Sequence, residues 1–106
     1  MIKAVFFLSG QDVIGFSVKG HADQAEHGQD IVCAAVSSAV YMAANTVTDA
    51  FKAEADIEVD DGLFTLKLKK PDESSVNVLK GLKLHIEALQ EQYPSYIDKT
   101  TEVMKC

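Results

Sequence analysis

Two blocks of similar layout constrain the fold of this chain more than any other feature of its sequence. Each block has two short segments with the pattern of β-strands, then a longer segment with apolar residues at helical spacing. Hairpins that alternate with helices predict an α+β fold, with two helices packed on a mainly antiparallel sheet. We expect the element order β-β-α-β-β-α, and residues 96–104 are a candidate final edge strand.

Period-two alternation indicates three of the four hairpin strands, whereas apolar residues fill both faces of the first, which is typical of a strand covered on both sides. The first hairpin turns at Gly10-Gln11-Asp12. The second turns at Asp61-Gly62, a dipeptide typical of type I′ turns. The predicted strands cover residues 2–9, 13–19, 55–60 and 63–70.

Two segments have the apolar spacing of helices. The first, residues 30–52, is rich in alanine and apolar on almost every side, so we expect it to be central, with Asp30 as its N-cap. The second covers residues 76–93, and Ser74 and Ser75 are its candidate caps.

Composition limits the class of protein. A chain of 106 residues with 47% hydrophobic residues predicts one globular domain, residues 1–106, with one core. The net charge of −6 argues against a nucleic-acid binder, because phosphate contacts need clustered Lys and Arg, and it is compatible with a basic protein or peptide partner.

The two cysteines do not have the spacing of a disulfide framework or of a metal site, and we expect no metal and no cofactor. The apolar run near the N-terminus, residues 4–8, is too short to cross a membrane or to form a secretory signal. We therefore expect a cytoplasmic protein without a membrane partner.

The segment between the second strand and the first helix holds the residues most suited to chemistry. His21 follows a strand, and Cys33 is predicted in the first helical turn, where free N–H groups and the helix dipole favour a thiolate. The dipole contributes only about 0.3–1 kcal/mol, and the carboxylate of Asp30 opposes it. A reactive Cys33 therefore needs an imidazolium partner, which His21 or His27 could supply.

The residues alone leave structural alternatives open. A cysteine in an apolar helix is more often a small buried hydrophobe, and Ser37 could bond within a site or back to its own helix. The loop bracketed by Gly20 and Gly28 is either a mobile lid or an ordinary connection. A thiol sensor that pairs Cys33 with Cys106 is a further hypothesis.

The motif in this segment is long. It consists of Gly20-His21-Ala22, a loop, and then Gly28-Gln29-Asp30-Ile31-Val32-Cys33-Ala34-Ala35-Val36-Ser37. This pattern resembles the signature of the ribosomal-processing cysteine proteases known as the Prp family. The chain length and the order of elements are also similar to that family over essentially all of the sequence.

The resemblance implies a cysteine endopeptidase. Cys33 would attack the scissile carbonyl and His21, on which the motif falls, would act as acid and base in preference to His27. Asp30 is either a helix cap or the group that orients His21. Ser37 is a second candidate supporting residue, and N–H groups at the helix start could stabilise the oxyanion.

The resemblance also implies a substrate and an assembly state. Family members remove an N-terminal extension from the twenty-seventh protein of the large ribosomal subunit, cutting after a phenylalanine-containing motif, and are homodimers. An apolar groove is then expected beside Cys33, with Ile31 and Tyr41 as candidate lining residues. The alternative is a non-catalytic ribosome-associated binding protein of the same fold, in which Cys33 is a core residue.

Overall fold

The computed structural model describes residues 1–20 and 27–104, and for residues 27–30 it describes the backbone alone. The elements in chain order are β1 (Ile2–Ser9), β2 (Asp12–Lys19), α1 (His27–Asn45), a π-helical turn (Thr46–Ala50), β3 (Ala55–Asp60), β4 (Leu63–Leu68), α2 (Glu73–Gln92) and β5 (Ile97–Val103). The predicted order β-β-α-β-β-α with a final strand is confirmed.

The strands form one five-stranded sheet in the order β3-β4-β2-β1-β5. The pairs β1–β2, β2–β4 and β3–β4 are antiparallel. The last strand, β5, runs parallel to β1 at one edge, so Ile2 lies opposite Ile97. The prediction of a mainly antiparallel sheet with a final edge strand is therefore confirmed.

The hydrophobic core lies between the two helices and one face of the sheet. Alternate residues of the strands point into it, and Phe6 of β1 lies opposite Phe16 of β2. Each fully buried large apolar side chain contributes roughly 1.5–3 kcal/mol to folding. The largest are Phe6, Phe16, Leu66, Leu79, Ile86 and Ile97.

The segment Ile31–Ala50, formed by α1 and the π-helical turn, is long and apolar enough by composition to cross a membrane. In the fold this segment packs on the sheet instead. Val32, Val36, Val40 and Val47 recur at helical spacing and are buried in the core. Burial of this face explains part of the apolar character of the helix.

Two predictions about α1 are wrong. The helix begins at His27, so Asp30 is its fourth residue rather than its N-cap, and Gly28 lies in its first turn rather than in the preceding loop. A first turn accommodates polar residues because its N–H groups have no intrahelical acceptor. A helical glycine costs only about 1 kcal/mol relative to alanine, so Gly28 does not mark the boundary.

The start of α2 and the second hairpin also differ in detail from the prediction. Asp72, not Ser74 or Ser75, caps α2, and its carboxylate accepts a hydrogen bond of 2.8 Å from the N–H of Ser75. A type I′ turn needs positive φ at both central residues, and in the second hairpin only Gly62, at φ +69°, has it. Asp61 therefore does not adopt the predicted type I′ geometry.

Candidate active site

Cys33 is the seventh residue of α1 and is half-buried against the hydrophobic core. It therefore lies in the second helical turn, not in the first as predicted. In an α-helix the N–H at this position bonds to the carbonyl four residues earlier, and the dipole effect fades after the first turn. The N–H of Cys33 is thus not free to stabilise an oxyanion.

A cavity of about 370 Å³ begins one helical turn after Cys33. Ser37 and Tyr41, which follow Cys33 at intervals of four residues, line one of its walls. The opposite walls come from the end of β2, including Gly20, and from the β3–β4 turn, residues 60–64. The cavity is therefore open to a ligand that also reaches the face of α1 on which Cys33 lies.

Aromatic rings form part of the apolar surface of this cavity. Phe64 stacks on the buried ring of Phe16 at 5.8 Å between centroids, and Tyr41 meets Phe64 edge-on at 5.3 Å and 87°. The lining also includes the aliphatic side chains of Val18, Val36, Val40 and Leu63. Such a surface suits an apolar or aromatic side chain, because rings favour stacked and edge-to-face contacts.

Gly20 fixes the point at which the chain leaves β2. Its N–H donates a hydrogen bond of 2.8 Å to the carbonyl of Gly62 in the β3–β4 turn. Its φ of +101° is unfavourable for any residue with a Cβ, and a Cβ there would lie 2.5 Å from the carbonyl oxygen of Met1. This residue lines the cavity and directly precedes His21.

The two predicted groove residues, Ile31 and Tyr41, differ in position. Tyr41 lines the cavity, as does Ser37, the exposed residue predicted to support the site. Ile31 is 59% exposed and does not line this cavity. Ile31 and Cys33 are two residues apart on the helix, so their side chains do not share a face.

Several predicted site residues lie outside the described part of the chain. His21, Cys106 and most of the loop predicted at residues 20–29 are not described, nor are the side chains of His27 and Asp30. The backbone nevertheless places Asp30 and Cys33 three residues apart on α1, which puts them on neighbouring positions of one helix face. The predicted pairing of His21 with Cys33 stays a prediction.

Sequence reasoning missed the wall that the β3–β4 turn contributes. Asp60, Asp61 and Phe64 line the cavity although about thirty residues separate them from Cys33. No local pattern marks them, because their position depends on the pairing of β4 with β2. A correct prediction of the strand order in the sheet would have located these residues at the cavity.

Comparison with known proteins gives a consistent family assignment. The family model described as Cysteine protease Prp matches residues 1–98. The ribosomal processing cysteine protease Prp of Bacillus subtilis is 30% identical over 112 residues, which cover 98% of this chain and 100% of that protein.

Two solved structures have the same fold. The structure of SMU.848 from Streptococcus mutans has a TM-score of 0.86 at 25% identity and covers 98% of this chain and 96% of its own. The ribosomal processing protease Prp from S. aureus, solved in complex with a substrate peptide, has a TM-score of 0.87 at 24% identity, over 96% of this chain and 100% of its own. The match over residues 1–98 and the similarity over the full length of the Bacillus protein show that this chain belongs to the Prp family of cysteine proteases.

Proposed function

We propose that this protein is an endopeptidase that removes the N-terminal extension of the twenty-seventh protein of the large ribosomal subunit and so supports ribosome assembly. One observation carries the proposal. In a member of a cysteine protease family, Cys33 lies on the helix face that continues into a cavity, and the other wall of this cavity includes Gly20, the residue before His21. Family membership favours this enzyme over the binding protein without catalytic activity.

The chemistry assigned to the pair is acyl transfer through a thioester. The imidazole of His21 takes the thiol proton, and the Cys33 thiolate adds to the scissile carbonyl. His21 then gives the proton to the departing amine as the C–N bond breaks, which leaves the acyl group on sulfur. Water, deprotonated by the same imidazole, hydrolyses the thioester and restores the thiol.

The supporting roles follow from where α1 begins. Because Asp30 is inside the helix and does not cap it, we assign its carboxylate the role of orienting His21. The N–H of Cys33 is engaged in the helix, so we assign the hydroxyl of Ser37, exposed one turn away on the same face, as a donor to the bound substrate or its oxyanion. Removal of one oxyanion donor typically lowers kcat by about 10²–10³.

Substrate selection is assigned to the cavity. Its aromatic floor, formed by Tyr41 and Phe64, suits the phenylalanine side chain of the cleavage motif. An acidic protein with a net charge of −6 also attracts a basic ribosomal precursor. We expect no direct contact with nucleic acid, for the same electrostatic reason.

We further propose that the protein is a cytoplasmic homodimer that does not insert into a membrane. The outer side of α1 carries exposed apolar residues, of which Ile31 and Met42 are 59% and 66% exposed. Exposed apolar patches of this kind often mark protein–protein contacts. Sedimentation equilibrium of the wild-type chain and of Met42→Glu tests this point, and a monomeric wild type would contradict it.

The proposed activity is tested with the precursor of the organism's own twenty-seventh large-subunit protein. Purified enzyme is mixed with the precursor, and the product masses are read by mass spectrometry. Cys33→Ala and His21→Ala should each abolish the cut. His27→Ala, the matched histidine control, should cleave normally, and Ser37→Ala should cleave more slowly.

Two outcomes contradict parts of the proposal. If the folded wild-type enzyme does not cut the precursor, the substrate assignment is wrong. If cutting survives His21→Ala and is lost in His27→Ala, the acid and base role belongs to His27. Circular dichroism of each variant checks that lost activity does not reflect unfolding.

A further inference from the structure

The β3 edge of the sheet is open in the described part of the chain. β3 (Ala55–Asp60) pairs with β4 alone, and the sheet order places it at the end opposite β5. Unpaired strand edges present N–H and C=O groups that can pair with another chain, and proteins usually protect them. The chemistry of the edge indicates which kind of chain it fits.

The register shows which backbone groups point outward. The N–H of Lys69 bonds to the carbonyl of Glu54 at 3.0 Å, so the even-numbered residues of this segment form the hydrogen-bonded pairs with β4. The odd-numbered residues therefore direct their backbone groups away from β4. Ala55, Ile57 and Val59 each present one N–H and one C=O at the open edge.

The two faces of β3 differ in chemistry. On the face that packs against the helices elsewhere in the sheet, Ile57 and Val59 remain 46% and 57% exposed. On the other face, Asp56, Glu58 and Asp60 are all exposed. A strand added to this edge would gain apolar contacts on one face and meet carboxylates on the other.

The charges on β3 indicate whether its edge pairs with a second copy of this chain or with a different partner. Asp56 is held by Lys69 at 3.5 Å, but the cross-strand neighbours of Glu58 and Asp60 are Thr65 and Leu63, which carry no charge. Two copies of β3 paired antiparallel would put these carboxylates side by side, which is unfavourable. A basic strand would remove the repulsion and add opposite-charge pairs.

The edge also leads to the candidate active site. Asp60, the last residue of β3, is part of the cavity wall next to the β3–β4 turn. A peptide strand paired with β3 would therefore have one of its ends at the cavity. This continuity identifies the occupant as a segment of the same polypeptide that enters the site.

We propose that β3 is a docking edge for an extended segment of the protein substrate in which apolar residues alternate with Lys or Arg. The segment adds to the sheet as a sixth strand, with its apolar residues beside Ile57 and Val59 and its basic residues beside Glu58 and Asp60. Strand addition of this kind derives affinity from backbone hydrogen bonds and specificity from alternate side chains. The proposal rests on the proposed protease function for the identity of the substrate, but docking itself is measured without cleavage.

Binding is measured with the full chain carrying Cys33→Ala, so that no turnover occurs. The probe is a fluorescein-labelled eight-residue peptide of alternating Leu and Lys, followed by anisotropy. A peptide of the same composition with four Leu followed by four Lys is the matched control for charge and hydrophobicity. We expect the alternating peptide to bind about tenfold more tightly, because only it places the two kinds of residue on opposite faces.

Backbone pairing is tested separately from side-chain contacts. Val59→Pro removes an outward N–H without removing a bond to β4, whereas Val59→Thr keeps that N–H and the branched shape. We expect Val59→Pro to weaken binding about tenfold and Val59→Thr by less than about threefold. Glu58→Lys should bind the basic peptide more weakly than the wild type does. This difference should grow as the salt concentration falls, because the repulsion between the introduced lysine and the peptide is then less screened.

Three results from the binding experiments would overturn the docking edge: equal binding of the alternating and block peptides, equal affinity of Val59→Pro and Val59→Thr for the peptide, or a change in the oligomeric state of Val59→Pro with no effect on peptide binding. The last result would assign the edge to a second copy.

A cleavage assay distinguishes failure of this proposal from failure of the proposed function. If the wild type cuts neither a minimal peptide nor one extended by the alternating segment, the function fails while the binding data still decide the edge. If Val59→Pro cuts both as well as the wild type does, the edge proposal fails alone.

Discussion

Substitution of Gly20 by alanine is the sharpest test of how this fold holds its candidate site. The φ of +101° is unfavourable for alanine, and such left-handed conformations cost a residue with a Cβ about 1–2 kcal/mol. The new Cβ would also lie 2.5 Å from the carbonyl oxygen of Met1, so the start of β1 must move. Overpacking of this kind adds about 1–3 kcal/mol. We therefore expect a total loss of about 2–5 kcal/mol in the free energy of unfolding.

Gly10→Ala is the matched control, because it isolates the conformational cost. Gly10 has φ +61°, but among the described residues, its two chain neighbours aside, no atom lies within 4 Å of the position that a Cβ would take there. We expect a loss of only about 1–2 kcal/mol at this position. Urea unfolding followed by circular dichroism measures both, and a domain of this size loses about 4 °C in Tm per kcal/mol.

The Gly20 variant should also lose activity, whereas the Gly10 variant should not. Gly20 lines the cavity and precedes His21, so a displaced Gly20 displaces the proposed base. Peptide cleavage is measured well below the Tm of each variant, so that both are folded. Equal losses of stability at the two positions would show that the start of β1 moves at little cost in free energy. The steric contact with Met1 would then be unimportant, contrary to our expectation.

Three further predictions concern stability. Ser75 is fully buried and its hydroxyl has no hydrogen-bond partner among the described residues, so Ser75→Ala should raise the free energy of unfolding by about 1 kcal/mol in urea titrations. Lys52 has φ +57°, so Lys52→Gly should stabilise by roughly 0.5–1 kcal/mol, and a lower Tm would contradict this. The hydrogen bond from Lys99, with a contribution from Lys83, holds the pKa of Glu87 below its usual value despite some burial. The resulting stability, at most about 1 kcal/mol, is present above the ordinary glutamate pKa and is lost as pH falls through the lowered value. Glu87→Gln should therefore be less stable than wild type at pH 7 and nearly equal to it near pH 2, as measured by Tm across pH.

The hairpins could be predicted from sequence because turn residues mark both hairpins and three of the four strands, all but β1, carry their own alternating pattern. The start of α1 could not, because the polar-to-apolar change at Asp30 lies inside the helix, three residues after its first residue, His27. Val32 is the first fully buried residue of the helix that the structure describes, five residues after His27. A pattern of hydrophobicity reports packing, and it does not report where helical backbone begins.

The candidate site was only partly predictable for a related reason. Cys33 and His21 were identified through a motif, whereas the aromatic floor depends on Phe64 of β4 lying across from Val18 of β2. That pairing joins residues far apart in the chain, and no local signal specifies it. Tyr41 was identified because it lies on the same helix as Cys33.

The parallel pairing of β1 with β5 has a consequence for how the protein folds. Ile2 donates its N–H to the carbonyl of Tyr96 at 2.8 Å, and the first strand of the fold pairs with the last one. Contacts between such distant parts of a chain are formed slowly, because the whole intervening loop must be closed. We therefore expect the β1–β5 pairing to form late when the protein refolds, after the two hairpins and the helices, whose contacts are local.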